Sequence, residues 1–469
     1  MIPFVIISVK EITMRTVKNL IEGNIYKNYL QYAAPLILSS ILVSLYNTVD
    51  AVIAGKFISE YAMGAISATS SFDILLNSFF NGFSCGFSVY IAQLFGKGDY
   101  AAVKRNVVNM VALVAVFSAM VSLLTFLFRG QILDYLNIDP VLRKDAETYF
   151  MIYTASYIAS FVNMILLRVL YALGVTSFSL LTSVLSGVIN IIGNLVTVLV
   201  FDWGVTGLAL STILSVFAVT GIYFYMVTKA FRELGSEKPV YRLNLAEVRD
   251  SLCYALPTAI QKMAFHATGI FFAPALNSLG ADATTGYSVM SKMYNFCGQS
   301  FWNMCSAVDC HTAQAVGAGN AQKVRRGLTA GLWMNIAVLT PFVLSFTIFT
   351  EPLALIFFPN GYHGLALAYA VRFFKVYSIF LYVNMTGHLM HSYMRSIGRV
   401  TTVLWITIFG SFVRIAATLL LIPPMHMDGV YLGLVLSWAA DGILSVTLYF
   451  SLYHKEEKLR KIIERAICK

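Results

Sequence analysis

Charge is what this sequence has least of. Of its 469 residues only 12% are Asp, Glu, Lys or Arg, about half the share usual in soluble domains, while 58% are apolar. A soluble enzyme cannot hide that excess in its core, so lipid is the expected solvent. Cysteine is scarce as well: the six, at positions 85, 253, 297, 305, 310 and 468, form no C-x-x-C pair and most lie in apolar runs. There Cys behaves as a small hydrophobe, and neither a disulfide framework nor a zinc site is indicated. No G-x-x-x-x-G-K-[ST] occurs, so ATP is not the expected energy source. The N-terminus lacks a basic region ahead of its short apolar run Ile2 to Ser8 and does not read as a signal peptide. An ordinary basic lead begins at Met14-Arg15, and residues 1–13 are expected to be a dispensable extension or a start-site artefact.

What is present is a series of long apolar stretches. At roughly 20 to 25 residues per crossing, the length accommodates about a dozen helices and no large soluble domain. Twelve candidate spans start near Asn28, Tyr61, Asn106, Ala146, Ser177, Trp203, Asp250, Thr284, Leu328, Leu365, Thr401 and Gly429. The fold class expected is an all-α integral membrane protein in two six-helix bundles. The organisation expected is a cytoplasmic lead over 1–27, a first bundle over 28–231, a polar linker over 232–249, a second bundle over 250–454 and a tail over 455–469. The tail KEEKLRKIIER reads as a short amphipathic helix. About 23 of the 33 Lys and Arg fall in the lead, the tail and the loops of one side, against Lys56, Arg129, Arg143 and Lys144 on the other. Both termini are therefore expected in the cytoplasm, and the net charge of +10 reflects topology, with no nucleic-acid partner.

An internal repeat relates the two halves. Residues 92–105 read AQLFGKGDYAAVKR and residues 313–326, 221 positions on, read AQAVGAGNAQKVRR. Ala34-Pro35 stands opposite Leu256-Pro257 and Gly64 opposite Gly286, both at an offset of 222, and Asn190 stands opposite Arg414 at 224. With six helices per repeat, both halves insert in the same orientation, so their axis runs along the membrane normal. Two bundles facing a central cavity are what alternating access requires.

The first-helix pattern APLILSSILVSLYNTVDAVIAGKF, the two AQ-x-x-G-x-G loops, the string GVTGLALST opening the sixth helix and the turn YMRSIGR after the tenth resemble the multidrug and toxic compound extrusion (MATE) transporters. The resemblance runs from Gly23 to the tail. It implies a V-shaped pair of bundles that exports organic, often cationic, compounds in exchange for H⁺ or Na⁺. It also implies that the first-helix aspartate, Asp50 here, is the coupling residue, and that Asn190, position 194 and Thr212 belong with it. The family has aspartate at position 194; this chain has Asn194. One carboxylate fewer weakens a Na⁺ site built from hard charged oxygens and favours H⁺.

The residues themselves support candidates of the same kind. An ionisable side chain in the bilayer costs roughly 2.5 to 3.5 kcal/mol on insertion scales, so each is a functional candidate. Asp50 follows Tyr46 by one turn, on one helical face, where a desolvated carboxylate beside a hydroxyl can exchange a proton; the alternative is an interfacial aspartate. Asn190 and Asn194 share a face of the fifth helix, and could instead merely bridge helices. Asp309, two residues from His311, is a secondary proton-site candidate, although residues two apart point in different directions. Asp73 and Asp441 are weaker candidates, each expected to pair with a base such as Lys292, Lys375 or Arg414. Lys262 and His266 share a face of the seventh helix, and a cation on a cavity wall argues against a purely cationic substrate. Lys104, Arg105, Arg325 and Arg326 are expected to anchor to anionic headgroups.

The function expected is secondary antiport of a small organic compound across the cell membrane by a monomer, with no cofactor or metal beyond the coupling ion. A lipid-linked oligosaccharide or lipid flippase of the same superfamily is the main alternative. A membrane enzyme acting on lipid would need a clustered His, Asp or Cys motif, and the seven His are scattered.

Overall fold

The computed structural model describes residues 17–57, 60–136, 138, 140–235, 244–358, 362–453 and 456–467, with the side chains of 47–57, 60–71, 141, 453, 456 and 465–467 outside the description. All twelve expected helices are found. They are α1 Ile25–Phe57, α2 Glu60–Lys97, α3 Tyr100–Leu127, α4 in two segments Pro140–Thr154 and Tyr157–Ala172, α5 Ser177–Leu195 and α6 Gly204–Glu233. The second six are α7 Leu245–Asn277, α8 Ala281–Gly317, α9 Ala321–Ile348, α10 from Leu365 to Ser396 with a 3₁₀ turn at Ser378–Phe380, α11 Val400–Met425 and α12 Met427–Leu448. The tail forms α13, Glu456–Ile467, whose Leu459 and Ile463 are buried against α8 and α9.

Nine of these helices are long and apolar enough among the described residues to cross a membrane, and α4, bent by 49° between its segments, makes a tenth. The remaining two, α7 and α8, carry Lys262, His266, Lys292, Asp309 and His311, and are too polar to read as ordinary spans. Large apolar side chains such as Val116, Leu123, Phe412 and Leu420 are exposed on other helices, as a lipid-facing surface requires.

The repeated AQ-x-x-G-x-G loops fold alike. Gly98 and Gly319 take φ of +79° and +68°, a left-handed conformation that ends a helix at little cost only for glycine. The next residue in each, Asp99 or Asn320, caps the following helix by accepting from the Ala102 or Lys323 amide, both at 2.9 Å. The loops are thus helix stops, in line with the tight turns expected of them. The headgroup role expected for Lys104 and Arg105 is not what the structure shows. Lys104 is buried and donates to the Gly235 carbonyl at 2.7 Å, and Arg105 binds Glu247 at 3.0 Å, because one acceptor just past the end of α6 and one in the first turn of α7 lie within their reach.

The chain forms two compact units. Unit 1 takes Ala34–Phe95 and Asp99–Cys253 with the lead through Asn19, and unit 2 takes Leu20–Ala33, Gly96–Gly98 and Tyr254–Lys469. The division departs from boundaries at 28 and 250, since the first turns of α1 go with unit 2 and those of α7 with unit 1. A contact repeated in the two halves marks this division. In unit 2, Tyr29 Oη donates to the Gly327 carbonyl at 3.0 Å; in unit 1, Ser251 Oγ donates to Asn106 Oδ1 at 3.0 Å. These pairs occupy matching positions, Tyr29 and Ser251 at the 222 offset and Asn106 and Gly327 at 221. Each lies ahead of the repeated proline, Pro35 or Pro257, where a lost backbone donor allows a helix to bend.

Unit 2 packs around an aromatic core that includes Phe301, Phe373, Phe374, Tyr431 and Trp438. In unit 1, Phe80 stacks on Phe161 with ring centroids 3.6 Å apart. Between α11 and α12 the chain reverses on one residue, His426, with φ of +51°. That conformation costs a non-glycine residue of order 1 kcal/mol or more, so His426→Gly should raise the apparent Tm in detergent by roughly 2 to 4 °C. An unchanged or lowered Tm would show that the turn is not strained.

Candidate functional site

In unit 1 the fifth and sixth helices approach closely because small residues face each other. A Cβ on Gly193 would lie 2.9 Å from Ser211 Cβ, and one on Gly207 2.7 Å from Thr197 Oγ1. On this base Asn194 Nδ2 donates to Asn190 Oδ1 at 3.2 Å, Asn190 Nδ2 donates to Thr212 Oγ1 at 3.2 Å, and Thr212 Oγ1 donates to the Leu208 carbonyl at 3.0 Å. Both asparagines are buried. One turn before Asn190, Gly187 leaves room for the ring of Tyr46, whose Cδ1 would stand 3.2 Å from a Cβ there. The structure thus brings together four of the five expected coupling residues, Tyr46, Asn190, Asn194 and Thr212. The fifth, Asp50, lies outside the described side chains. A π-helical turn at Val196–Val200 follows directly, a distortion that recurs near functional sites. The set offers neutral amide and hydroxyl oxygens, which suit a proton relay or a weakly held hard cation.

Asp73, expected to pair with a base, instead accepts a short hydrogen bond from Tyr157 Oη in α4. A phenol serves here because the neighbouring face of α4 carries Tyr149, Tyr153 and Tyr157 one turn apart, in ring contact, and no cation.

Unit 2 holds the other candidates, and two arrangements differ from expectation. Asp309 does not form a proton site with His311. Its carboxylate accepts from Arg395 Nε at 3.3 Å and Nη2 at 3.1 Å, from Ser392 Oγ at 3.3 Å and from Ser396 Oγ at 3.3 Å, all on the last turns of α10. His311 points elsewhere, with Nδ1 3.1 Å from the Leu20 carbonyl and Nε2 3.3 Å from that of Lys323. Two residues along a helix turn a side chain by about 200°, so one neighbour cannot serve both.

Asp441 likewise takes none of the expected bases. It accepts from His391 Nε2 at 2.8 Å, fitting against Gly387 and Gly410, where a Cβ would stand 3.3 and 3.4 Å from it. His391 Nδ1 lies 3.5 Å from Gln261 Nε2, which donates to Thr407 Oγ1 at 3.0 Å, so the network joins α12, α10, α7 and α11. His391 and Arg395 were not singled out from sequence. Their signal was four polar residues, His388, His391, Ser392 and Arg395, recurring at three- and four-residue spacing in a membrane helix.

The expected bases have other neighbours. Lys292 lies over the Phe357 ring at 5.5 Å. Lys262 and His266 share a face of α7 as expected, and His266 is within electrostatic reach of Lys262 and Arg414. Arg414 donates to Thr268 Oγ1 at 3.2 Å and Tyr287 Oη at 3.1 Å and lies over the Phe272 ring at 4.8 Å.

Comparison with known proteins places this architecture. The MatE family pattern matches residues 35–196 and 257–420, one stretch in each half. The chain is similar to the probable multidrug resistance protein YoeA of Bacillus subtilis, 22% identical over 94% of this chain and 97% of that protein. It is also similar to the probable multidrug resistance protein NorM of Thermotoga maritima, 24% identical over 94% of this chain and 95% of that protein. A solved outward-facing conformation of a multidrug resistance MATE family transporter of the MOP superfamily shares the fold, with a TM-score of 0.86 at 15% identity over 96% of this chain and 100% of that one. With the twelve helices and the repeat, these matches establish that the chain belongs to the MatE family of multidrug and toxic compound extrusion proteins and is a multi-pass membrane transporter, not an enzyme.

Proposed function

We propose that this transporter is a secondary antiporter of the cell membrane that exports organic compounds bearing a cationic group in exchange for H⁺, with Na⁺ the second choice. Its monomer sits in the bilayer with both termini cytoplasmic, as the positive-inside asymmetry suggests. The reading rests on one observation above all: the buried ladder Asn194–Asn190–Thr212 on the face of α5 that also receives Tyr46. Asp50 is four residues after Tyr46 in the sequence. A carboxylate among neutral oxygens gains a proton when it faces the side of higher proton concentration and yields it on the other. Export follows when proton and cargo cannot occupy the protein stably together, which is population shift between two conformations. The cationic character of the cargo comes from the family resemblance. With Asn194 in place of an aspartate, the site holds one formal charge fewer, and Na⁺ gains less from it.

The test is efflux of ethidium from proteoliposomes under an inward pH gradient or an inward Na⁺ gradient, imposed separately. The pH gradient should drive efflux more strongly, and Asp50→Asn should reduce it to the level without a gradient. Equal transport by parent and Asp50→Asn under both gradients would overturn the assignment of Asp50.

A further inference from the structure

The repeat allows the candidate ion site of unit 1 to be projected onto unit 2. At the offset of 222, Tyr46 corresponds to Thr268 and Asp50 to Phe272; at 224, Asn190 corresponds to Arg414. These three unit 2 residues lie together. Arg414 donates to Thr268 Oγ1 at 3.2 Å and covers the Phe272 ring at 4.8 Å. At these matching sequence positions the polarity is inverted, with arginine in place of Asn190 and phenylalanine in place of Asp50. The positive guanidinium repels a cation at that place.

Arg414 is unlike two other arginines of unit 2. Arg395 is held by Asp309 at 3.1 Å and Arg372 by Asp428 at 2.5 Å, whereas the guanidinium of Arg414 contacts two hydroxyls and a ring, all neutral. Those hydroxyls use two of its five N–H donors. The residue sits at mid-length in α11, Val400–Met425, where a charge facing hydrocarbon is costly. Arg414 and Lys262 are half-buried and His266 is exposed, with His266 one turn after Lys262 on α7 and two residues before Thr268, the hydroxyl that Arg414 binds. A partly exposed basic group at that depth is tolerable where it meets water or a bound anion.

We propose that unit 2 contains a receptor for an anionic oxygen group, a carboxylate, sulfonate or phosphate carried by the exported compound, centred on Arg414 with Lys262 and His266 beside it. The Thr268 and Tyr287 hydroxyls fix the guanidinium plane, Phe272 supports its face, and the remaining N–H donors present the fork that a carboxylate accepts. The cargo then carries both signs of charge, its cationic group expected from the family and its acidic group read by unit 2. Describing the ligand as cargo rests on the transport reading; the anion site itself does not.

Rhodamine B, a zwitterion with a free carboxylate, and its cationic ethyl ester form a matched pair. Their binding to the full chain is to be measured by fluorescence anisotropy in phosphatidylcholine nanodiscs without any gradient. Arg414→Gln should weaken rhodamine B binding about tenfold or more, the loss of a charge-assisted hydrogen-bonded pair, and leave the ester within about twofold. Arg414→Lys should recover part of the loss, having the charge without the fork. Ester binding also reports that each variant is folded. Equal weakening of both dyes, or of neither, overturns the proposal. If phosphatidylglycerol in the nanodisc abolishes the preference for rhodamine B, the group bound is a lipid headgroup and assignment to cargo is overturned. A chain that binds as expected yet exports under neither gradient would sink the antiport reading and leave the anion site standing.

Discussion

Arg395→Leu should lower the stability of the protein by about 3 to 5 kcal/mol, a fall in apparent Tm of roughly 10 °C. The substitution leaves the Asp309 carboxylate buried, with side-chain exposure of 12%, and only the Ser392 and Ser396 hydroxyls to answer it. Two hydroxyl hydrogen bonds do not compensate a charge removed from water. The double variant Asp309→Leu with Arg395→Leu should regain most of the loss, because it removes both charges from the interior. Thermal unfolding in detergent, followed by size exclusion, measures both. The pair also separates structure from coupling. If the double variant folds and keeps efflux driven by a pH gradient, Asp309 is a structural tie between α8 and α10. If it folds and loses that efflux, Asp309 takes part in transport and the structural account fails.

Gly433→Val should be nearly as damaging, at roughly 3 kcal/mol, and should cut the yield of monodisperse protein sharply. Gly429 and Gly433 are one turn apart on α12, the small-x-x-x-small spacing that lets membrane helices approach backbone to backbone. A Cβ on Gly433 would lie 2.9 Å from the Thr418 amide nitrogen, and one on Gly429 2.7 Å from that of Ile422. These neighbours are backbone atoms of α11 and cannot swing aside, so the helices would have to part along the seam held by the one-residue turn at His426. Gly433→Ala should show a smaller loss of the same kind. A Val variant that behaves like the parent on size exclusion and melts within about 1 °C of it would show that the helices do not pack this closely.

Much of the architecture was legible because it is written along the chain. Apolar length marked the spans, basic residues marked the loops, and repeated strings at offsets of 221 to 224 marked two related halves. Gly98 and Gly319 read as turn residues because the requirement they meet is local. The ends of the units were less legible, since assigning Tyr29 to unit 2 and Ser251 to unit 1 depends on hydrogen bonds spanning 298 and 145 positions. The same holds for the charges. A sequence shows that Asp309, Asp441 and Arg414 are in membrane helices, but not whether each is neutralised.

Sequence by itself therefore determined the solvent, the number of helices, the repeat and the family, because hydropathy and local backbone preference belong to short segments. Tertiary structure alone decided which ionisable groups are tied up: Asp309 by Arg395, Asp441 by His391 and Asp73 by Tyr157. It also decided that Arg414, the counterpart of Asn190 in the repeat, has only neutral hydrogen-bond and ring partners among the described residues. The reason is physical. The cost of a buried charge depends on what lies within a few ångströms of it, and those partners come from distant parts of the chain.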